Sequence, residues 1–132
     1  MKTFIDTSAL YALLDRDDDN HKTAKAAWTK ILRAENILVT SNYVLIETFA
    51  LLQNRLGVVA VRAFQEDIVP ILNIEFINPE VHQSGTAALL AASKRNLSLV
   101  DCISFEIMRA LGIKTVFAFD AHFKDAGYQA IP

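Results

Sequence analysis

The chain is poor in cysteine, glycine and proline, and it has no excess of positive charge. A single cysteine, Cys102, among 132 residues excludes an internal disulfide and a cysteine-built metal cluster. No Gly-x-Gly-x-x-Gly and no Gly-x-x-x-x-Gly-Lys occurs, so neither a dinucleotide fingerprint nor a phosphate-cradling P-loop is supported. No apolar run approaches the roughly 20 residues that span a bilayer. Lys2 is the only charge ahead of Asp6, which breaks the opening apolar stretch. That is a poor match to a secretory signal, so a cytoplasmic protein without a membrane partner is expected. Internal repeats and low-complexity tracts are also missing.

Thirteen Lys and Arg against 15 Asp and Glu leave a net charge of −2. That balance argues against binding nucleic acid by bulk charge alone. It leaves room for a nuclease, because cations bound by carboxylates reverse the local charge. Arg16, Lys22, Lys25, Lys30 and Arg33 crowd one stretch, which reads first as a solvated helix face and second as a phosphate-contacting surface.

What the chain does have is apolar residues, 52% of the total, enough to bury a core in one domain covering residues 1–132. Thr3–Ile5 reads as a strand buried on both faces and stopped by Asp6. Leu10, Leu13 and Leu14 fall on one side of a helix over Ser8–Leu14. Asp15–Asn20 is an acidic turn whose Asp and Asn residues suit the start of the next helix, His21–Arg33. Ile37–Thr40 reads as a second strand. Thr40 or Ser41 then caps a helix running to Leu56 and ended by Gly57. Val58–Ile71 reads as one further helix and Ile74–Ile77 as a third strand. Asn78-Pro79-Glu80 is a helix start, and that helix runs to about Lys94. Another helix runs from Ser98 to Gly112. Thr115–Phe119 is a fourth strand, and Tyr128–Ile131 a candidate edge strand. Alternating strands and helices predict a three-layer α/β/α fold around a mostly parallel sheet of about four to five strands.

The carboxylates stand where carboxylates are costly. Asp6 and Asp120 each follow a buried strand, where ligands of open α/β sheets bind; the other reading of each is a turn or cap residue. If their strands are neighbours, both acids enter one crevice. Glu47 sits in Val44-Leu45-Ile46-Glu47-Thr48-Phe49, a helix apolar nearly all round and therefore expected to be buried. An unpaired carboxylate there costs several kcal/mol or takes up a proton. Its alternatives are a salt bridge to a distant Arg or a bend that exposes it. Asp101 matches a capping box with Ser98, yet also projects from a helix N-terminus. Four clustered acids call for cations, and an all-oxygen set suits Mg²⁺ or Mn²⁺ rather than zinc.

Other residues carry weaker signals. His122 reads as a structural imidazole or a phosphate contact. His21 reads as a helix-start residue and His82 as a surface one. Cys102, Trp28 and the Leu45-Phe49-Leu52 stripe read as core.

Phe4-Ile5-Asp6-Thr7-Ser8-Ala9-Leu10, the Glu47 helix, Leu97–Asp101 and Phe119-Asp120-Ala121-His122-Phe123 together resemble PIN-domain proteins in order and spacing, over essentially the whole chain. Within that family they look most like the VapC-type toxins of toxin–antitoxin pairs. The resemblance implies an Mg²⁺- or Mn²⁺-dependent endoribonuclease whose activated water leaves a 5′-phosphate and a 3′-hydroxyl. By position, Asp6 and Asp101 are then the main metal ligands. Glu47 binds metal directly or through water and orients the nucleophile, Asp120 completes the set, and Ser8 supports Asp6. It also implies a homodimer and a VapB-like antitoxin whose C-terminal segment lies across the active-site groove. Part of Val58–Ile71 is a candidate for either surface. One departure is that many members carry a Thr-Arg-Asn-like segment near Asp120; Asp125 is the fallback acid. Two alternatives stand beside this reading. A non-catalytic PIN-like binding module would bind metal without cleaving RNA. A haloacid-dehalogenase-type phosphatase needs a second acid where Ser8 stands, and an obvious partner lysine is lacking.

Overall fold

The computed structural model describes residues 1–132. Five strands, β1 (Lys2–Ile5), β2 (Ile37–Ser41), β3 (Asn73–Glu75), β4 (Thr115–Phe117) and β5 (Gln129–Ile131), form one sheet in the order β3-β2-β1-β4-β5. Every pairing is parallel. Seven helices connect them: α1 (Thr7–Leu14), α2 (His21–Arg33), α3 (Asn42–Arg55), α4 (Val58–Ala63), α5 (Pro79–Ala92), α6 (Leu99–Leu111) and α7 (His122–Asp125). The chain winds outward from β1 through β2 to β3, then returns across β1 to β4 and β5. Right-handed crossovers therefore put α1–α4 on one face and α5–α7 on the other, giving the expected three layers. In agreement, α1 packs on α2 and α3, and α5 packs on α6.

Burial follows the layers. Thr3, Phe4 and Ile5 of β1 and all of β4 are buried, whereas the edge strands β3 and β5 are partly exposed. Trp28 of α2 stacks on Phe117 of β4 with ring centroids 5.8 Å apart, and Phe105 of α6 meets Phe123 of α7 edge-on at 5.3 Å. These rings lie in or against the core, but Phe76 is 74% exposed. Cys102 is buried too. Buried threonine hydroxyls are satisfied within their own layers: Thr40 Oγ1 of β2 donates to the Ile5 carbonyl of β1 at 2.8 Å, and Thr48 Oγ1 to the Val44 carbonyl one turn back in α3 at 2.7 Å.

Helix boundaries follow local chemistry. Ser41 accepts from Val44 N, Asn78 from Val81 N, and Ser98 and Asp101 form a complete capping box. Gly112 closes α6 at φ 67, a left-handed position where a Cβ is costly. α5 ends at Ala92, short of Lys94, with Ser93 left-handed. Two expectations change. Asn20 flanks α2 but makes no side-chain cap bond; Asp18 turns back to accept from Asn20 N instead. The predicted Val58–Ile71 helix changes winding twice, from α4 to a π turn over Phe64–Ile68 and a 3₁₀ turn over Val69–Ile71. Pro70, lacking an N–H and crowding the preceding turn, accounts for the break. No helix is long and apolar enough to cross a membrane.

Gly85 is where α5 meets α6 most closely: a Cβ there would lie 2.4 Å from Ile103 Cδ1 and 3.1 Å from its Cγ1. Gly85→Leu is expected to cost about 1–3 kcal/mol by overpacking, read as a lowered urea midpoint. Gly85→Ala costs less, because a helix-propensity gain of about 1 kcal/mol offsets the clash. Equal midpoints for Gly85→Leu and the native chain would show that the contact is loose.

Candidate active site

The parallel pairing of β1 with β4 brings the two strand-end acids together. Asp6 N donates to the Phe117 carbonyl at 3.1 Å, continuing the ladder past β1. Asp6 then caps α1, its Oδ2 accepting from Ser8 N at 3.1 Å and Ser8 Oγ at 2.6 Å. The same Ser8 oxygen accepts from Phe119 N at 2.9 Å. Ser8 thus ties Asp6 to the segment leading to Asp120, and its proton is already committed to Asp6. It cannot serve as the general acid that the phosphatase alternative requires.

The remaining acids come from three elements. Asp101 is the third residue of α6 and buried; its Oδ2 accepts from Ser98 N at 3.1 Å. Asp120 follows β4, and its Oδ1 accepts from His122 N at 2.9 Å. Glu47 stands on the second turn of α3, whose position is set by Thr7: that hydroxyl donates to the Val44 carbonyl at 3.3 Å and lies 3.0 Å from Thr48 Oγ1. The expectation that most of this helix is buried is met on one face only. Ile46 is 65% exposed and Glu47 half-buried, so Glu47 stands at the rim of the cleft. Asp125 is exposed at the end of α7 and lies outside the cluster.

Burial pushes Asp6 from 3.8 up to about 6; hydrogen bonds from Ser8 oppose the shift, and the charges of Asp101 and Glu47 add to it. Burial likewise raises Glu47, against the Thr7 hydroxyl and with the charges of Asp101 and Asp120. Asp101 is raised first by burial, then by Asp120, against its bonds to Ser98. The four carboxylates therefore share one electrostatic environment. No Lys or Arg pairs with any of them: the ion pairs of those side chains are Arg62–Glu66 and Arg109–Glu106. The distant arginine considered for Glu47 is not there.

The basic group at the cluster is His122, with Nδ1 2.7 Å from Asp120 Oδ1 and 3.4 Å from Asp101 Oδ2. Asp101, Asp120 and His122 offer donor atoms all within 4.8 Å of one another. The sequence offered His122 as a structural imidazole or a phosphate contact, and the structure sets it beside two of the acids. The other histidines are occupied elsewhere. His21 Nδ1 contacts the Ala12 carbonyl at 2.8 Å, and His82, half-buried rather than on the surface, meets the Tyr43 hydroxyl. The exposed basic residues of α2 and its approach, Arg16, Lys22, Lys25, Lys30 and Arg33, form no ion pairs. The largest cavity, about 660 Å³, lies between α1, α2 and α4 and contains none of the four acids; beside Glu47 there is only a shallow apolar patch of Tyr43, Ile46 and Val100.

An acidic cleft at the carboxyl edge of an all-parallel sheet, built by the strand-end turns and two helix starts, defines a class of α/β domains suited to holding a divalent cation. The chain belongs to the PIN domain family, whose profile matches residues 3–128. It is 35% identical over 126 residues to the 23S rRNA-specific endonuclease VapC20 of Mycobacterium tuberculosis, covering 95% of this chain and 94% of that one. A VapC ribonuclease of Aquifex aeolicus is 25% identical over 131 residues, covering 96% and 93%. The crystal structure of M. tuberculosis VapC20, described as a sarcin–ricin loop cleaving toxin, superposes with a TM-score of 0.84 at 33% identity, covering 96% of both chains.

A carboxyl whose folded-state value is raised favours folding while protonated. The metal-free protein should therefore be more stable near pH 4 and lose about 2–3 kcal/mol as pH rises through 6, the equivalent of the Asp6 shift. Asp6→Asn should flatten that loss and melt higher than the native chain at pH 7. Melting curves in EDTA from pH 4 to 8 check this, and a native chain that gains stability across the same range would refute it.

Proposed function

We propose that this chain is an endoribonuclease, the toxin of a type II toxin–antitoxin pair, with residues 1–132 acting as one nuclease domain. The supporting observation is four carboxylates converging on one cleft with no lysine or arginine to neutralise them. VapC relatives that cleave RNA, across nearly the whole chain, give that cleft its chemistry.

In this reading Asp6, Asp101 and Asp120 hold Mg²⁺ or Mn²⁺, with Glu47 joining directly or through water. The donor set fits a hard divalent cation, since oxygens predominate. When bound, the cation supplies positive charge for the scissile phosphate and acidifies a water. Ser8 keeps Asp6 oriented, and the Ser98 backbone keeps Asp101 oriented. Glu47, at the rim, takes a proton from the water attacking phosphorus; the bond to the 3′-oxygen breaks and that oxygen takes up a proton from solvent, leaving a 5′-phosphate and a 3′-hydroxyl. The open cleft suits an extended polymer better than an enclosed small molecule. The protein is read as cytoplasmic and homodimeric, with a VapB-like antitoxin covering the groove.

The target of the M. tuberculosis relative makes the sarcin–ricin loop of 23S rRNA the first substrate to test. Purified chain freed of antitoxin is expected to give discrete cuts in Mg²⁺ or Mn²⁺ and none in EDTA. Asp6→Asn and Asp101→Asn should each lower the rate by more than about 100-fold, beyond the usual effect of an outer-shell partner, while remaining folded. Intact RNA with folded, metal-loaded native chain, on both this loop and total RNA, would instead favour a binding module.

A further inference from the structure

His122 has a buried ring nitrogen that makes no hydrogen bond. The side chain is 19% exposed, yet Nδ1 itself is shielded and has no hydrogen-bond partner. Its 2.7 Å approach to Asp120 Oδ1 lacks the direction of a hydrogen bond, and that oxygen accepts from the His122 backbone N–H instead. Leaving a buried polar atom unsatisfied costs about 1–3 kcal/mol. The ring is nonetheless anchored there, because the next residue, Phe123, is fully buried against Phe105.

The surrounding distances suggest why. Nδ1 lies 2.7 Å from Asp120 Oδ1 and 3.4 Å from Asp101 Oδ2, and one donor atom from each of the three residues falls within 4.8 Å of the others. Ligand atoms about 2.1 Å from an octahedral cation stand about 3 Å apart when adjacent and about 4.2 Å when opposite. Two carboxylate oxygens and an imidazole nitrogen at such spacing are disposed as co-ligands. His21 and His82 lie outside this group of donors.

We propose that His122 Nδ1 is a direct ligand of the metal centre and biases it toward Mn²⁺ over Mg²⁺. The inference rests on the reading of the acids as a metal site. An imidazole nitrogen is a softer donor than carboxylate oxygen. Mg²⁺ favours oxygen and water, whereas Mn²⁺ accepts mixed nitrogen and oxygen sets.

The test is pulsed electron paramagnetic resonance on the full-length protein loaded with Mn²⁺, with competitive Mn²⁺ and Mg²⁺ titrations. The native chain should show ¹⁴N coupling of a directly bound imidazole. His122→Ala and His122→Asp should both lose it. His122→Asp, which restores an oxygen donor, should keep Mn²⁺ bound while lowering the Mn²⁺ over Mg²⁺ preference about tenfold. Melting curves identify any variant that fails to fold, and either variant alone suffices for the comparison. Bound Mn²⁺ that Asp101→Asn releases but that shows no ¹⁴N coupling overturns the proposal and leaves the acidic metal site standing. Coupling that survives both His122 substitutions also overturns it. Absence of any Asp101-dependent Mn²⁺ binding removes the metal-site reading and this inference together.

Discussion

The parallel pairing of β1 with β4 is the contact on which the rest of the site depends. It turns the sheet order at β1, and ligand sites of open α/β sheets lie at such a reversal. Asp6 N bonding to the Phe117 carbonyl carries the ladder one step past β1, and Ser8 Oγ then bonds both Asp6 and Phe119 N. Strand ends 111 residues apart in sequence are thereby held by one hydroxyl. Glu47 and Asp101 arrive on helices packed against this junction, α3 through the Thr7–Thr48 contact and α6 through its own packing on α3.

Helix starts explain how the fold tolerates its acids. Asp6 caps α1, and Asp101 is the acidic member of a capping box on α6. Each carboxylate therefore faces backbone N–H groups and the positive end of a helix, worth about 0.3–1 kcal/mol apiece. Capping and cation binding had looked like rival duties for Asp101. A carboxylate has about four acceptor positions, and the Ser98 bond occupies one of them. Capping orients the side chain, and the remaining acceptor positions stay available. The compensation is partial, because burial still drives Asp6 up to about 6. The chain keeps an acid whose ionisation weakens the fold, as expected of a residue retained for binding rather than stability.

The strands, caps and helices were legible because each has local causes: Asn78-Pro79, the Ser98–Asp101 box, Gly112, and apolar runs broken by acids. The sheet order was legible only conditionally, since nothing local says that β4 lies beside β1. Glu47 was singled out for its apolar helix, and that reason holds only in part. An apolar composition does not reveal which face is covered, and Ile46 is exposed. Pro70 was visible, but its effect on helix winding two turns upstream was not weighed. His122 was read only as a structural imidazole or a phosphate contact, without its place beside Asp101 and Asp120. Its neighbours come from α6 and from the turn after β4, so its environment exists only in three dimensions.

The acidic cleft also constrains how any polyanion could approach. Without cations, clustered carboxylates in a chain of net charge −2 repel phosphate, so substrate binding and chemistry are linked through the same ions. The unpaired basic side chains from Arg16 to Arg33 are the other attraction available on the α1–α4 face. Being exposed, they are screened by salt within about 8–10 Å at physiological ionic strength, whereas a buried cation is screened much less. Under the proposed function, long-range attraction would weaken with salt while the reactive contact persisted. The largest cavity borders this basic region at Arg16 and Lys25 rather than the acids. Cavity size is therefore a poor guide to the chemistry here; charge and its missing partners are the better one.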